Sequence, residues 1–231
     1  MRVVIKIGTS TLAHSTGRLN IRRVEELCKV MSDLKNAGHE IILVSSGAIG
    51  MGVGKLSLKS RPTDIPTKQA AAAVGQCELM YIYDKLFSEH NHTVAQILIT
   101  GADVQNEERN KNFKNTLYRL LELEALPIIN ENDTVAIDEL ELKIGENDSL
   151  AAMVATIAEA DLLIILSDID GLYDENPNEN PDARLIPIVR EINDDIKALC
   201  GGAGTDRGTG GMITKIHAAE IATEAGIPTV V

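Results

Sequence analysis

The feature that most restricts the fold is a regular alternation of short apolar runs with longer segments of helical periodicity. Each run is bounded by turn-forming residues and therefore predicts a buried strand. Strands separated by helices pair in parallel, and helices then cover both faces of the sheet. We therefore predict an α/β fold, a three-layer α/β/α sandwich with a mostly parallel central sheet. The predicted strands are residues 2–7, 40–44, 93–100, 126–129 and 161–166.

Between these runs, apolar residues recur at the spacing of amphipathic helices. Asn20 stands directly before the first of these segments and is the expected N-cap. The glycine-rich segment 50–55 interrupts the pattern and predicts a loop, with Lys55 in solvent. The predicted helices are residues 20–38, 66–89, 112–123 and 149–159, and one that begins within residues 208–215.

Two clusters of acidic and amide residues, 130–133 and 146–148, are the candidates for a binding site. The first follows a predicted strand, and the second precedes a predicted helix. Ligands of open α/β sheets bind beyond the carboxyl ends of strands, so the two clusters can converge on one small polar ligand. Asn and Asp are also favoured in turns and at N-caps, which explains either cluster alone equally well. Residues 134–144, between the clusters, predict a hairpin over the pocket.

Lys6 lies inside the first predicted strand, and two interpretations of it stay open. It points to solvent if the strand is at an edge, or it is buried and paired, because burial disfavours an unpaired ammonium group. The turn that follows, Gly8 with Thr9 and Ser10, favours the second, since its backbone N–H groups can approach an anion.

Two further small-residue turns can bind anions. Residues 45–48 follow a predicted strand, and residues 208–215 open a helix that carries Lys215. Backbone N–H groups at such a helix start, together with a cation, form a cradle for phosphate.

The composition narrows the class of ligand. The net charge is −12 and the pI is about 4.9, so nucleic acid is repelled, and with no Trp the chain lacks aromatic platforms for base stacking. An anionic substrate therefore needs a locally positive pocket. No apolar run is long enough to span a membrane, and three widely spaced cysteines indicate a reducing compartment, so we expect a cytoplasmic protein.

Five motifs in one order carry a resemblance to a known family. They are VVIKIGTS, VSSGAI, INENDTV with GEND, LSDIDGLY and GTGGMITK. Together they resemble the amino acid kinase superfamily over essentially the whole chain. Within it, NEND followed by GEND is similar to members that phosphorylate the side-chain carboxylate of L-glutamate with ATP and Mg²⁺, the first step of proline biosynthesis.

The resemblance implies roles for individual residues. The residues implied in phosphoryl transfer are Lys6, Asp148 and Lys215. Those implied in glutamate binding are Ser46, Gly47, Ala48, Asn130, Asp133 and Asn147. Those implied in ATP binding are Lys6, Gly8, Ser167, Asp168, Thr209, Gly210, Gly211, Met212 and Lys215. No residue is implied as a direct metal ligand.

The resemblance also implies an organisation. A single kinase domain is expected over residues 1–231, with about 1–150 for the acceptor and about 151–231 for ATP, and without an additional carboxyl-terminal domain. Homo-oligomers, dimers or tetramers, and feedback inhibition by proline are implied as well. The alternatives are a related kinase acting on acetylglutamate, aspartate, carbamate or a nucleoside monophosphate, and a non-catalytic amino-acid sensor.

Overall fold

The fold is built on one six-stranded sheet, seen in a computed structural model that describes residues 1–14, 19–136, 147–177, 179–200 and 211–231. Every pairing among these strands is parallel, which confirms the predicted α/β sandwich. The strand order is β3-β4-β2-β1-β5-β6. The strands are β1 (Arg2–Ile7), β2 (Glu40–Ser45), β3 (Val94–Ile99), β4 (Leu126–Glu131), β5 (Leu162–Leu166) and β6 (Thr229–Val230).

The predicted helices are present, with shifted boundaries. Asn20 caps α2 as expected, because its side chain accepts a hydrogen bond from the backbone N–H of Arg23. Three short helices, α1, α5 and α8, lack a full period of apolar residues and were not predicted. The helices are α1 (Thr9–Leu12), α2 (Ile21–Asn36), α3 (Ala48–Lys55), α4 (Ile65–Ser88), α5 (Gly101–Gln105), α6 (Glu107–Glu122), α7 (Asn147–Ile157), α8 (Asp194–Leu199) and α9 (Met212–Glu224).

The two faces of the sheet have separate apolar cores. Val3, Ile5 and Ile7 of β1 pack with α2 and α4, whereas Val4 packs on the opposite side with α6, α7 and α9. Successive residues of a strand point to opposite faces. Lys6 therefore lies on the same face as Val4, under the helices α7 and α9.

The order in which the chain adds strands to the sheet switches sides between β1 and β5, which are neighbours in the sheet. The chain passes from β1 to its neighbour β2 on one side, and from β5 to its neighbour β6 on the other side. Such a switch opens a crevice at the carboxyl ends of the two strands. The fold thus places a binding crevice beyond Ile7 and Leu166, which are paired at the ends of β1 and β5.

The predicted loop at residues 50–55 is wrong, because this segment forms most of α3. Glycine weakens helical periodicity, but here it permits a backbone contact between α3 and α4. A Cβ at Gly52 would lie 1.8 Å from the carbonyl oxygen of Ala71, and one at Gly75 would lie 1.8 Å from that of Ala48. The exposed position of Lys55 is confirmed, and its Nζ lies 2.8 Å from Glu78 Oε2.

Among the residues that the structure describes, no helix combines the length and the apolar character needed to cross a bilayer.

Gly52→Ala will destabilise the protein, because the new methyl group overlaps backbone atoms of α4 that no rotamer change can move. Overpacking of this kind costs about 1–3 kcal/mol or more, measured by urea unfolding. Gly54→Ala is the matched control: it lies in the same helix with nothing within 4 Å of its Cβ position, and helix propensity predicts a gain of up to about 1 kcal/mol. Equal effects of the two substitutions would contradict the close helix contact.

Candidate active site

Three charged side chains meet under α7 and α9 at the centre of the sheet. Lys6 lies on β1 between Val44 of β2 and Ile165 of β5, so it is not an edge-strand lysine. Its Nζ lies 2.6 Å from Oδ1 of Asp148, and Nζ of Lys215 lies 3.4 Å from Oδ2. The three residues are 7%, 2% and 8% exposed, respectively. The interpretation of Lys6 as a buried, paired lysine is therefore confirmed.

The charges of this cluster do not cancel. Burial disfavours the carboxylate of Asp148, but the charges of Lys6 and Lys215 outweigh burial and hold its pKa below the ordinary value. With Asp148 ionised, two ammonium groups surround one carboxylate, which leaves an excess positive charge. A buried excess charge is costly unless a counter-ion is bound. The cluster is thus suited to an anion.

Thr214 completes the contacts of Asp148, and sequence reasoning did not single it out. Its Oγ1 lies 2.8 Å from Oδ2 of Asp148 and 2.9 Å from the carbonyl oxygen of Gly211. A hydroxyl group has one proton and donates to one of these acceptors at a time. Oδ2 of Asp148 is therefore shared by Thr214 and Lys215, whereas Oδ1 faces Lys6. In the sequence, only the position of Thr214 directly before Lys215 could have indicated this role.

Glycines border both lysines. A Cβ at Gly8 would lie 3.3 Å from Nζ of Lys6, so a side chain here would crowd the ammonium group. Gly211 is the N-cap of α9, and Met212 is its first residue. Their neighbours in the predicted phosphate cradle, Thr209 and Gly210, lie outside the described residues.

An amide network joins the two acidic-amide clusters. Nδ2 of Asn147, the first residue of α7, lies 2.7 Å from the carbonyl oxygen of Ser45 and 2.8 Å from Oγ of Ser46. The same nitrogen lies 3.0 Å from Oδ1 of Asn130 at the end of β4. The structure therefore brings Ser46, Asn130 and Asn147 together, which agrees with the expected convergence of the clusters.

The other expected acceptor residues surround this network. Gly47 adopts a left-handed conformation with φ of +100°, which favours glycine, and turns the chain from β2 into α3 so that Ala48 begins the helix. Asp133 is half-buried in the turn after β4. Glu146 and residues 137–144 of the predicted hairpin lie outside the described part of the chain.

Helix α4 supplies two buried polar groups that no motif indicated. Oε1 of Gln76 accepts a hydrogen bond of 2.8 Å from Nδ2 of Asn130. Two turns further on, the hydroxyl of Tyr83 lies 2.9 Å from Oγ of Ser45. Helix α4 thus contacts the carboxyl ends of both β4 and β2, where the residues of the amide network begin.

Ser167 and Asp168 follow β5 and lie at the other side of the crevice. Ser167 is half-buried and Asp168 is exposed, and their side-chain oxygens lie 3.5 Å apart. Since β5 pairs with β1, these residues lie beyond the strand next to Lys6.

The fold and this cluster define an α/β protein with a buried anion-binding site, and a sequence comparison identifies its family. The family model described as "Amino acid kinase family" matches residues 1–231. The chain therefore belongs to the amino acid kinase family.

Individual relatives are more specific. The chain is 53% identical to the glutamate 5-kinase of Clostridium perfringens, over 98% of this chain and 85% of that protein. It is 55% identical to the glutamate 5-kinase of Clostridium acetobutylicum, over 100% of this chain and 85% of that protein. The carbamate kinase from Giardia lamblia bound to AMP-PNP has the same fold, with a TM-score of 0.61 at 15% identity, over 97% of this chain and 90% of that chain.

Asp148→Asn will destabilise the protein in a pH-dependent way. The folded pKa of Asp148 is lowered, so its stabilisation is complete above the unfolded pKa of about 4 and is lost as the pH falls through the folded pKa. At pH 7 the variant leaves two buried ammonium groups without their carboxylate, a loss of about 3–5 kcal/mol. Urea unfolding at pH 7 down to pH 3 should show this difference narrowing with acidification.

Asp84→Asn, at an exposed position of α4, is the control and should change the free energy of unfolding by less than about 0.5 kcal/mol. A gap between wild type and Asp148→Asn that stays constant over this pH range would contradict the ion-pair interpretation.

Proposed function

We propose that this chain transfers the γ-phosphoryl group of ATP to the side-chain carboxylate of L-glutamate, which forms L-glutamyl 5-phosphate and ADP in the first step of proline biosynthesis. The observation that carries the proposal is the buried cluster of Lys6, Asp148 and Lys215 beside the amide network. More than half of the residues are identical to those of glutamate 5-kinases over nearly the whole chain, which supports glutamate as the acceptor.

The reaction needs charge stabilisation more than proton transfer. A carboxylate oxygen of glutamate forms a bond to the γ-phosphorus as the bond to the β,γ-bridging oxygen breaks, and ADP keeps that electron pair. The side-chain carboxyl is already ionised near pH 7, so no general base is required. Phosphoryl transfer then depends on in-line positioning and on stabilising the equatorial oxygens. Lys6 and Lys215 serve this purpose, and Asp148 keeps their ammonium groups oriented.

The acceptor amino acid binds at the ends of β2 and β4. Backbone N–H groups at the start of α3 and side-chain amides suit its carboxylates, while the carboxylate of Asp133 suits its ammonium group. The residues proposed to hold glutamate are Ser46, Gly47, Ala48, Asn130, Asp133 and Asn147.

ATP binds across the crevice from the acceptor. Its phosphates lie toward Gly8, Lys6 and the start of α9, and its nucleoside toward Ser167 and Asp168. Residues proposed to line this site are Lys6, Gly8, Ser167, Asp168, Gly211, Met212 and Lys215, together with Thr209 and Gly210.

The site would take Mg²⁺ together with the nucleotide. The described residues contain no group of three His, Cys, Asp or Glu side chains placed to hold a metal, and Asp148 is occupied by lysines and Thr214. In kinases Mg²⁺ usually keeps several waters and is bound by substrate phosphates with one or two carboxylates rather than by a protein cage, and we propose that nucleotide oxygens and water would supply most of its ligands here. Mg²⁺ supplies charge neutralisation between the phosphates.

The remaining expectations belong to the same proposal. The lobe of about residues 1–150 holds the acceptor and that of about residues 151–231 holds ATP, with Lys6 and Gly8 of the first lobe reaching the ATP phosphates. The chain acts in the cytoplasm as a homo-oligomer, a dimer or a tetramer, with proline as feedback inhibitor. Two observations support the location and the assembly. The three cysteines are all free, which suits a reducing compartment. The exposed side chains of Ile65 and Tyr81 on α4 offer apolar surface for a second copy of the chain.

Acceptor profiling tests the substrate. ADP release from Mg-ATP should depend on L-glutamate and not on aspartate, acetylglutamate or uridine monophosphate. The similar relatives are glutamate 5-kinases, and Asp133 suits the free ammonium group that acetylglutamate and uridine monophosphate lack. Hydroxylamine should trap an equal amount of the acyl phosphate as hydroxamate. Turnover with another of these acceptors would overturn the acceptor assignment, and glutamate binding without ADP release would indicate a sensor.

Lys6→Met and Lys215→Met should each lower kcat by about 100-fold or more, since each removes a charge that stabilises the transferring group. Lys55→Met is the matched control, because it makes the same change at an exposed lysine remote from the cluster, and it should retain wild-type kcat. Folding is checked by thermal unfolding. Wild-type turnover in folded Lys6→Met and Lys215→Met would refute the proposed role of these lysines in stabilising the transferring phosphoryl group.

A further inference from the structure

Gln76 is the exception on the buried face of α4. The other fully buried residues of this helix are small, apolar or aromatic, whereas Gln76 is a polar residue that is 7% exposed. Its Oε1 accepts the hydrogen bond from Asn130. Its Nε2 is buried and has no hydrogen-bond partner among the residues that the structure describes.

A buried amide donor without a partner destabilises a protein, and an apolar side chain of similar size avoids that loss. Packing alone therefore does not account for glutamine at this position. The contact that distinguishes it from an apolar residue is the one to Asn130, at the carboxyl end of β4.

The side-chain amide of Asn130 has one orientation that satisfies all its hydrogen bonds, and the contact with Gln76 is one of them. Oδ1 of Asn130 accepts from the backbone N–H of Glu131 at 2.9 Å and from Nδ2 of Asn147 at 3.0 Å. Both contacts need an oxygen at that position, so Nδ2 of Asn130 must face α4. There it needs an acceptor, and Oε1 of Gln76 is that acceptor at 2.8 Å. If the side-chain amide of Asn130 were rotated by 180°, its NH₂ group would face the backbone N–H of Glu131 and Nδ2 of Asn147, which are both donors.

We propose that Gln76 is a positioning residue for the acceptor site: its carbonyl oxygen fixes the orientation of the Asn130 amide and, through it, that of Asn147. The side-chain amide of Asn147 then stays directed at Ser45 and Ser46. This inference rests on the proposed function in one respect, namely that the ligand held by Asn130 and Asn147 is the acceptor amino acid.

The kinetic test is Gln76→Met, which keeps an unbranched side chain of similar length without an acceptor for Asn130. The KM for glutamate should rise by about tenfold, as expected for a lost buried hydrogen bond. The kcat and the KM for ATP should change by less than about twofold. Gln96→Met, the same change at an exposed position of β3, is the control and should leave all three parameters unchanged.

The orientation itself can be measured without activity. In 15N–1H spectra of the full chain, the side-chain amide signals of Asn130 and Asn147 should shift or broaden in Gln76→Met. They should persist in Gln76→Glu, which retains an acceptor oxygen toward Asn130. Thermal unfolding checks that both variants are folded.

Each outcome has a distinct meaning. Unchanged Asn130 and Asn147 signals in Gln76→Met overturn the positioning role, as does a fall in kcat with equal changes in both KM values, which a general packing defect produces. If the signals respond but wild type releases no ADP with glutamate, the positioning of the amides stands and the proposed function fails. Responding signals with a selective rise in the glutamate KM support both.

Discussion

The contact between one buried carboxylate and two buried ammonium groups is the interaction on which this structure depends. Lys6 and Lys215 come from β1 and α9, far apart in sequence, and would repel each other without Asp148. Burial makes each of these charges costly on its own. The strand and the two helices therefore have to meet in one arrangement, and the alternation of side chains along β1 puts Lys6 on the face that α7 and α9 cover.

This cluster also reconciles an acidic protein with two anionic substrates. The net charge of −12 produces a field that repels ATP and glutamate at long range. Within the crevice the local charge has the opposite sign, and the low dielectric constant strengthens it at short range. In the proposed site, binding would therefore depend on the ammonium groups of Lys6 and Lys215 and on backbone N–H groups more than on the charge of the surface.

The sheet and the family could be predicted from the sequence, because strand alternation and motif order are local patterns. The burial of Lys6 could not be predicted, since a run of residues does not show whether its strand is central or at an edge. The helical conformation of residues 50–55 was not predicted, because glycines interrupt the apolar periodicity there. Among them, Gly52 is explained by its close contact with the backbone of Ala71 in α4, which the sequence does not show. Gln76 belongs to no motif, and the rest of its helix has only packing residues. Its proposed role could not be predicted, because it depends on contact with Asn130, 54 positions away in sequence.

The contact between α3 and α4 has a consequence for motion. No side chain separates the two helices at Gly52 and Gly75, and Ala48 contacts Gly75 through its backbone. A change of rotamer cannot alter their spacing at this contact, so we expect α3 and α4 to move together. The start of α3 and Gln76 should then keep their separation when the proposed acceptor binds, and we expect any adjustment in segments outside this helix pair, such as the turn after β4.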